Sequence, residues 1–231
     1  MELALFSEAG KEFIFRWIHF LAGITWIGVL YYFNFIQGEW FKETDASHKT
    51  AAVQKLVPRA LWWFRWGAMF TFLSGLTILA IKGHGAMGWA YFDSSYGIYI
   101  LTGSGLGTLM FLNVWLVIWP AQKKVIAKAN GEKVLDDVAQ LGARAALASR
   151  TNTLFSIPLL FFMGAASHLP LSASYDYSGW TLFGVLFVII MAIETNAVVG
   201  KMPKMMASVK GVIHSGILLT VVLYGLIECL V

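Results

Sequence analysis

"FIFRWIHFLAGITWIGVLYYFNFI", residues 13–36, is 24 residues long and apolar nearly throughout. A hydrocarbon core of about 30 Å needs roughly 20 apolar residues of helix to cross it, so this stretch is long enough to span a bilayer. It is too long for the core of a signal peptide, lacks a basic leader and is not followed by a clear small-residue cleavage site, so it reads as a retained helix. The rest of the chain agrees: of 231 residues, 58% are hydrophobic and only 13% charged, outside the range of an ordinary soluble domain. Further apolar runs cover about 60–82, 97–119, 152–168, 180–200 and 209–231. Lipid cannot hydrogen-bond backbone groups, so each run must be a helix. The expected fold is all-α: a polytopic membrane helix bundle with six transmembrane helices in a single domain, 1–231.

Charge sets the expected orientation. Lys and Arg near helix ends are held on the cytoplasmic side. Loop 37–59 carries four of them, loop 120–151 six, and 201–210 three, whereas loops 83–96 and 169–179 carry none. Both termini are therefore expected outside, in a bacterial inner (cytoplasmic) membrane, with loop 120–151 cytoplasmic. The net charge of +4 follows from this asymmetry and gives no reason to expect nucleic acid as a partner. Within loop 120–151, Asn130-Gly131 reads as a turn. The apolar spacing of Val134, Leu135, Val138, Leu141 and Ala145 fits either a surface amphipathic helix or an extension of the flanking helices past the bilayer.

Several chemistries are excluded. The single cysteine, Cys229, rules out an internal disulfide, a thiolate zinc site and an iron–sulfur cluster, and no C-x-x-C-H is present for covalent haem attachment. The glycine-rich "TGSGLGTLM" lies inside an apolar span, where a phosphate loop has no use. The Trp residues, among them Trp17, Trp40, Trp62, Trp63, Trp119 and Trp180, cluster near the expected helix ends, where amphipathic rings favour the interface.

Histidine carries the remaining signal. His19 lies about six residues into the first helix, roughly 9 Å deep at a rise of 1.5 Å per residue. His168 closes the fourth helix at the same outer level, with His84 just beyond the second. Small residues surround that level: Gly23 one turn from His19, Gly164 one turn before His168, Gly103 and Gly107 on the third helix and Gly75 on the second. An axial imidazole beside side chains small enough to admit a flat macrocycle is what b-type haem needs between helices. Glycine that merely lets helices approach closely is the competing reading. Copper held by His19, His168 and His84 is an alternative cofactor, since imidazole also suits that metal. At the inner level stand Arg65, Glu194 and His214, with Asn113 and Asn196 nearby. Charges in hydrocarbon need partners, so the expectation is an Arg65–Glu194 ion pair, or else a proton path or a site for a quinone head group or haem propionates.

Three stretches, "RWIHFLAGITWIG" (16–28), "NVWLVIWPAQKKVI" (113–126) and "ASRTNTLFSIPLLFFMGAASH" (148–168), resemble the membrane domain of the bacterial membrane-bound urate oxidase family, whose members often join such a domain to a C-terminal cytochrome c. The resemblance implies a multi-helix membrane domain associated with electron transfer, with His19 and His168 at the family's histidine motifs. The sequence to Val231 departs from that pattern in having no cytochrome c, and other membrane subunits or a separate cytochrome are the expected partners. The R-W-x-H start of the first helix is also similar to membrane protoporphyrinogen oxidases and copper-resistance membrane proteins. Three functions are thus expected to compete. One is a haem b electron-transfer protein or subunit, fed by quinone or a soluble donor and working with other membrane subunits. The second is an oxidoreductase acting on a purine such as urate or on a porphyrin. The third is a non-catalytic accessory subunit of a larger respiratory or photosynthetic complex.

Overall fold

The computed structural model describes residues 3–85, 88–171 and 179–231, apart from the side chains of Tyr91 and Trp180. Most of the expected outer loop 169–179 lies outside the described residues. The described residues are all-helical, with no strand, and seven helices follow one another: α1 (Glu8–Glu43), α2 (Ala46–Lys55), α3 (Val57–Gly83), α4 (Ser95–Ala129), α5 (Val138–His168), α6 (Gly179–Val199) and α7 (Val209–Leu230). Five of these, α1, α3, α4, α6 and α7, are long and apolar enough to cross a membrane.

The helices run past the apolar stretches because capping, not hydropathy, ends them. Ser7 caps α1 by accepting from the Gly10 N–H at 3.2 Å, and Asp137 caps α5 by accepting from Ala139 and Gln140. Between Asn113-containing α4 and α5, the chain turns at Asn130-Gly131, where Gly131 has a φ of +84° that a side chain would resist. Of the two readings left open for residues 120–151, the structure takes extension: α4 continues to Ala129 and α5 starts at Val138.

Helix α5 differs from the other long helices in composition and place. It packs against α1, α4, α6 and α7. Arg150, Thr151, Asn152, Thr153 and Ser156 are buried along its length. A helix surrounded by helices can carry polar residues that a lipid-facing one cannot, and here they stitch the bundle. Tyr31 on α1 donates to Ser156 Oγ at 2.9 Å, since that hydroxyl spends its own hydrogen on the Thr153 carbonyl. Asn34 donates to Ser149 Oγ at 2.8 Å. Asn34 and Asn113 each sit in a π-helical segment, Tyr32–Gln37 in α1 and Asn113–Ile118 in α4, where the wider turn directs the amide at α5.

Helices α1 and α3 form the most extensive pair. Their backbones meet at Gly67, where a Cβ would lie 3.0 Å from the Trp26 nitrogen. This contact fixes the register that brings His19 of α1 to Ser74 and Gly75 of α3.

Candidate functional site

A cavity of about 820 Å³ opens between α1, α3, α4 and α5 in the half of the bundle that contains the ends of α3 and α5 and the starts of α1 and α4. His19, Gly23, Gly75, Gly107, Gly164 and His168 all line it. The remaining wall is mainly aliphatic and aromatic, with Phe72 from α3 and Leu159 from α5. Tyr31 forms part of the lining next to its bond with Ser156.

His19 is held across the seam between α1 and α3. Its Nδ1 is 3.1 Å from Ser74 Oγ. The Ser74 hydroxyl already donates to the Phe70 carbonyl at 2.5 Å and shares its hydrogen with the Thr71 carbonyl at 3.1 Å. In the tautomer that carries its proton on Nδ1, His19 donates to Ser74 and Nε2 keeps its lone pair; the ring also hydrogen-bonds the Thr71 backbone. Metal-bound imidazoles are usually fixed in this way through their second nitrogen. Gly75 completes the arrangement, because a Cβ there would come within 3.1 Å of His19 Cε1.

His168 lies at the C-terminal end of α5, exposed at the rim of the same cavity. The chain beyond it is pinned where the Leu171 N–H donates to Ser95 Oγ at 2.8 Å, at the start of α4. Around Gly107 a Cβ would approach Leu159 Cδ1 at 3.2 Å, and around Gly164 it would meet nothing within 4 Å. Gly103 is placed differently. Its missing side chain lets α4 close on α5, where a Cβ would meet Met163 Cε at 2.8 Å, so it serves helix packing and not the cavity.

The sequence profile of the urate oxidase N-terminal family matches residues 84–224. The chain belongs to that family. No curated protein and no solved structure matches this chain. The matched part of this urate oxidase N-terminal domain holds α4, α5, α6 and most of α7, with His168, Gly107 and Gly164. His19 stands on α1, and Ser74 and Gly75 on α3, both before it.

A haem fits the residues present. The cavity is of ligand size, since small-molecule sites run to roughly 300–1,000 Å³. The His19 imidazole lies on the lining, and glycine leaves flat wall on four helices. The three-histidine copper site does not assemble. His84 is absent from the lining; its Nδ1 is held 2.8 Å from the Ala80 carbonyl and its ring meets Trp89. Among the described residues no three His, Cys, Asp or Glu come together to hold a metal ion.

The inner polar group also departs from expectation. No ion pair joins Arg65 and Glu194. Arg65 lies over the Trp119 ring, with Cζ 3.8 Å from the centroid, and its Nε has no partner. Glu194 is buried, 7% exposed, and accepts from Asn113 Nδ2 at 3.1 Å. The same nitrogen donates to Asn152 Oδ1 at 2.9 Å, and Asn152 donates to the Met110 carbonyl at 2.9 Å. Glu194 thus belongs to an amide network linking α4, α5 and α6. His214 is exposed on α7 and bonds to neither Arg65 nor Glu194. Asn196 closes the end of α6 by donating to the Lys201 carbonyl at 3.3 Å.

Sequence reading missed Ser74, whose role depends on the α1–α3 register. It also missed Arg16, although its position three residues before His19 on one helix was a visible signal.

Proposed function

We propose that this protein is a membrane electron-transfer subunit that holds a b-type haem in the outer cavity, with His19 as axial ligand and His168 as the second. The supporting observation is the imidazole of His19, held at Ser74, facing a cavity of about 820 Å³ with glycine on all four of its helical walls. Haem, when bound, supplies reversible one-electron exchange. The protein's part is to present Nε2 of His19, to exclude water with an aliphatic and aromatic wall, and to keep the site at one membrane face. There, a separate cytochrome or another membrane subunit can dock, and quinone is the donor in the bilayer.

The oxidoreductase reading draws on the family's urate oxidase name. A purine is small and hydrogen-bonds along every edge, so most of this apolar wall would face it without a partner. The wall suits a macrocycle better.

The expected spectrum is that of a b-type haem, with a Soret band that His19→Ala abolishes while the protein stays folded in detergent. His168→Ala is expected to abolish the band or change the spin state. An unchanged spectrum in both variants removes these residues as ligands, and a colourless wild type returns the chain to the accessory-subunit reading.

The arrangement in the membrane follows the same reading: six crossings, α5 being the sixth, with both termini outside and the basic loops on the cytoplasmic side of a bacterial inner membrane. Ser47, exposed on α2, reports on this. With Cys229 replaced, Ser47→Cys is expected to be shielded from an impermeant thiol reagent in intact cells; strong labelling reverses the orientation.

A further inference from the structure

The cavity lies between two closely packed helix pairs, α1 with α3 and α4 with α5, and its two long sides are finished differently. On the α3–α4 side, Phe72 of α3 stacks on Phe111 of α4 with ring centroids 4.2 Å apart. Beyond that stack the segment Gly88–Asp93 bridges the two helices: a Cβ on Gly83 of α3 would lie 3.0 Å from the Trp89 ring, and the Phe92 backbone lies against Gly97 of α4. The α4 residues that line the cavity, such as Ile100, Ser104 and Thr108, are half-buried. On the α1–α5 side the polar ties gather at one end, Tyr31 with Ser156, Asn34 with Ser149 and Glu39 with Arg150. Toward the start of α1 and the end of α5 the seam is open. A Cβ on Gly28 or on Gly164 would meet nothing within 4 Å. Phe20, Ile24 and Leu160 line the cavity and are nevertheless 66%, 72% and 49% exposed.

A side chain that faces both a cavity and the outside marks the place where the two join. Ile24 follows Phe13, the first residue of the apolar run, by eleven positions, about 16 Å of helical rise, which is near the middle of a hydrocarbon core of about 30 Å. What lies outside at that depth is acyl chain and not water. We infer that the seam between α1 and α5 is a lateral portal through which the cavity takes its ligand from the bilayer, and that the ligand is lipid-soluble, flat and largely apolar. This rests on the haem reading and deepens it by giving the route of entry. A purine anion, costly to place among acyl chains, has no access by this route.

The test follows uptake of iron protoporphyrin by the full chain, freed of haem and reconstituted in phosphatidylcholine vesicles, with the haem supplied in the same bilayer and the Soret band read over time. Gly28→Trp and Gly164→Trp each place an indole in the seam. Both are expected to slow uptake about tenfold, or roughly 1.4 kcal/mol of barrier, while the final band keeps its position. Gly184→Trp on α6, where a Cβ also meets nothing within 4 Å and no cavity wall is touched, is expected to match the wild type. Ile24→Ala only removes bulk from the seam and is expected to speed uptake. Should an indole variant fail to fold, Ile24→Ala decides alone: a faster rate supports the portal and an unchanged one overturns it. Wild-type rates in all three seam variants, with a Soret band that still depends on His19, overturn the portal and leave the haem reading standing. No Soret band in the wild type overturns the haem reading and the portal with it.

Discussion

The two halves of the bundle treat buried polarity in opposite ways. In the half that holds Glu194, Asn113 bonds to Glu194 and Asn152, Asn34 bonds to Ser149, and Asn34 and Asn152 also donate to backbone carbonyls. In the half that holds His19, the ring meets Ser74 and its surroundings open into a cavity bordered by glycine. Polar side chains in a membrane protein either close on each other to hold helices or remain open toward a ligand. The first kind is identified by satisfied partners, the second by a fixed orientation with one group left over. By that criterion Glu194 belongs to the scaffold and His19 to the site.

Breaking the inner network is expected to have the largest effect. Asn113→Leu removes the donor to both Glu194 and Asn152, which strands a buried carboxyl group and a buried amide oxygen. The expected cost is about 3 kcal/mol, measured by thermal or denaturant unfolding in detergent. Adding Glu194→Leu is expected to recover part of that loss, because it removes one of the stranded groups. If the double variant is as unstable as the single one, Glu194 has work beyond packing and the contrast between the halves fails.

Glycine sharpens the comparison at the next level. Gly75→Val is expected to push the His19 ring off its seat, since even a Cβ would come within 3.1 Å of Cε1. Haem occupancy should fall about tenfold with little change in unfolding temperature. Gly164→Ala, which meets nothing within 4 Å, is expected to change neither measurably. Gly103→Leu should do the reverse of Gly75→Val, lowering stability by about 1–3 kcal/mol through overpacking against Met163 while the ligand spectrum keeps its shape.

These contrasts also mark how far the sequence was legible. Apolar runs located the long helices because hydropathy over about 20 residues is a strong signal. They ended too early at both ends of α1 and at the start of α5, since Ser7, Asp137 and the polar first turns of α5 prolong helix beyond the apolar stretch. Helix α2 was missed outright, being short and polar. In the candidate site, His19, His168 and four of the glycines could be gathered by depth alone, because depth is residue count times rise. Rotation about the helix axis is not given by depth. For that reason Gly103 was grouped with the cavity though it faces α5, His84 was offered as a copper ligand though it turns away, and Ser74 went unnoticed.

Arg65 shows the same limit and supplies the smallest expected effect. Equal depth made Arg65 and Glu194 look like partners, yet they stand on α3 and α6, and α4 supplies the nearer partner to each: Trp119 beneath the guanidinium and Asn113 beside the carboxyl. A cation over an indole at a partly exposed position contributes about 0.5–1 kcal/mol. Arg65→Leu is therefore expected to lower stability by no more than that, and Trp119→Leu to leave Arg65→Leu with almost no further cost. The measurement is a double-mutant cycle on unfolding, with Arg65 and Glu194 taken through a second cycle. A coupling near zero in the second agrees with helices that never bring the two charges together. A coupling above about 1 kcal/mol would mean that the charges meet after all, and that half would then hold an ion pair in place of an amide network.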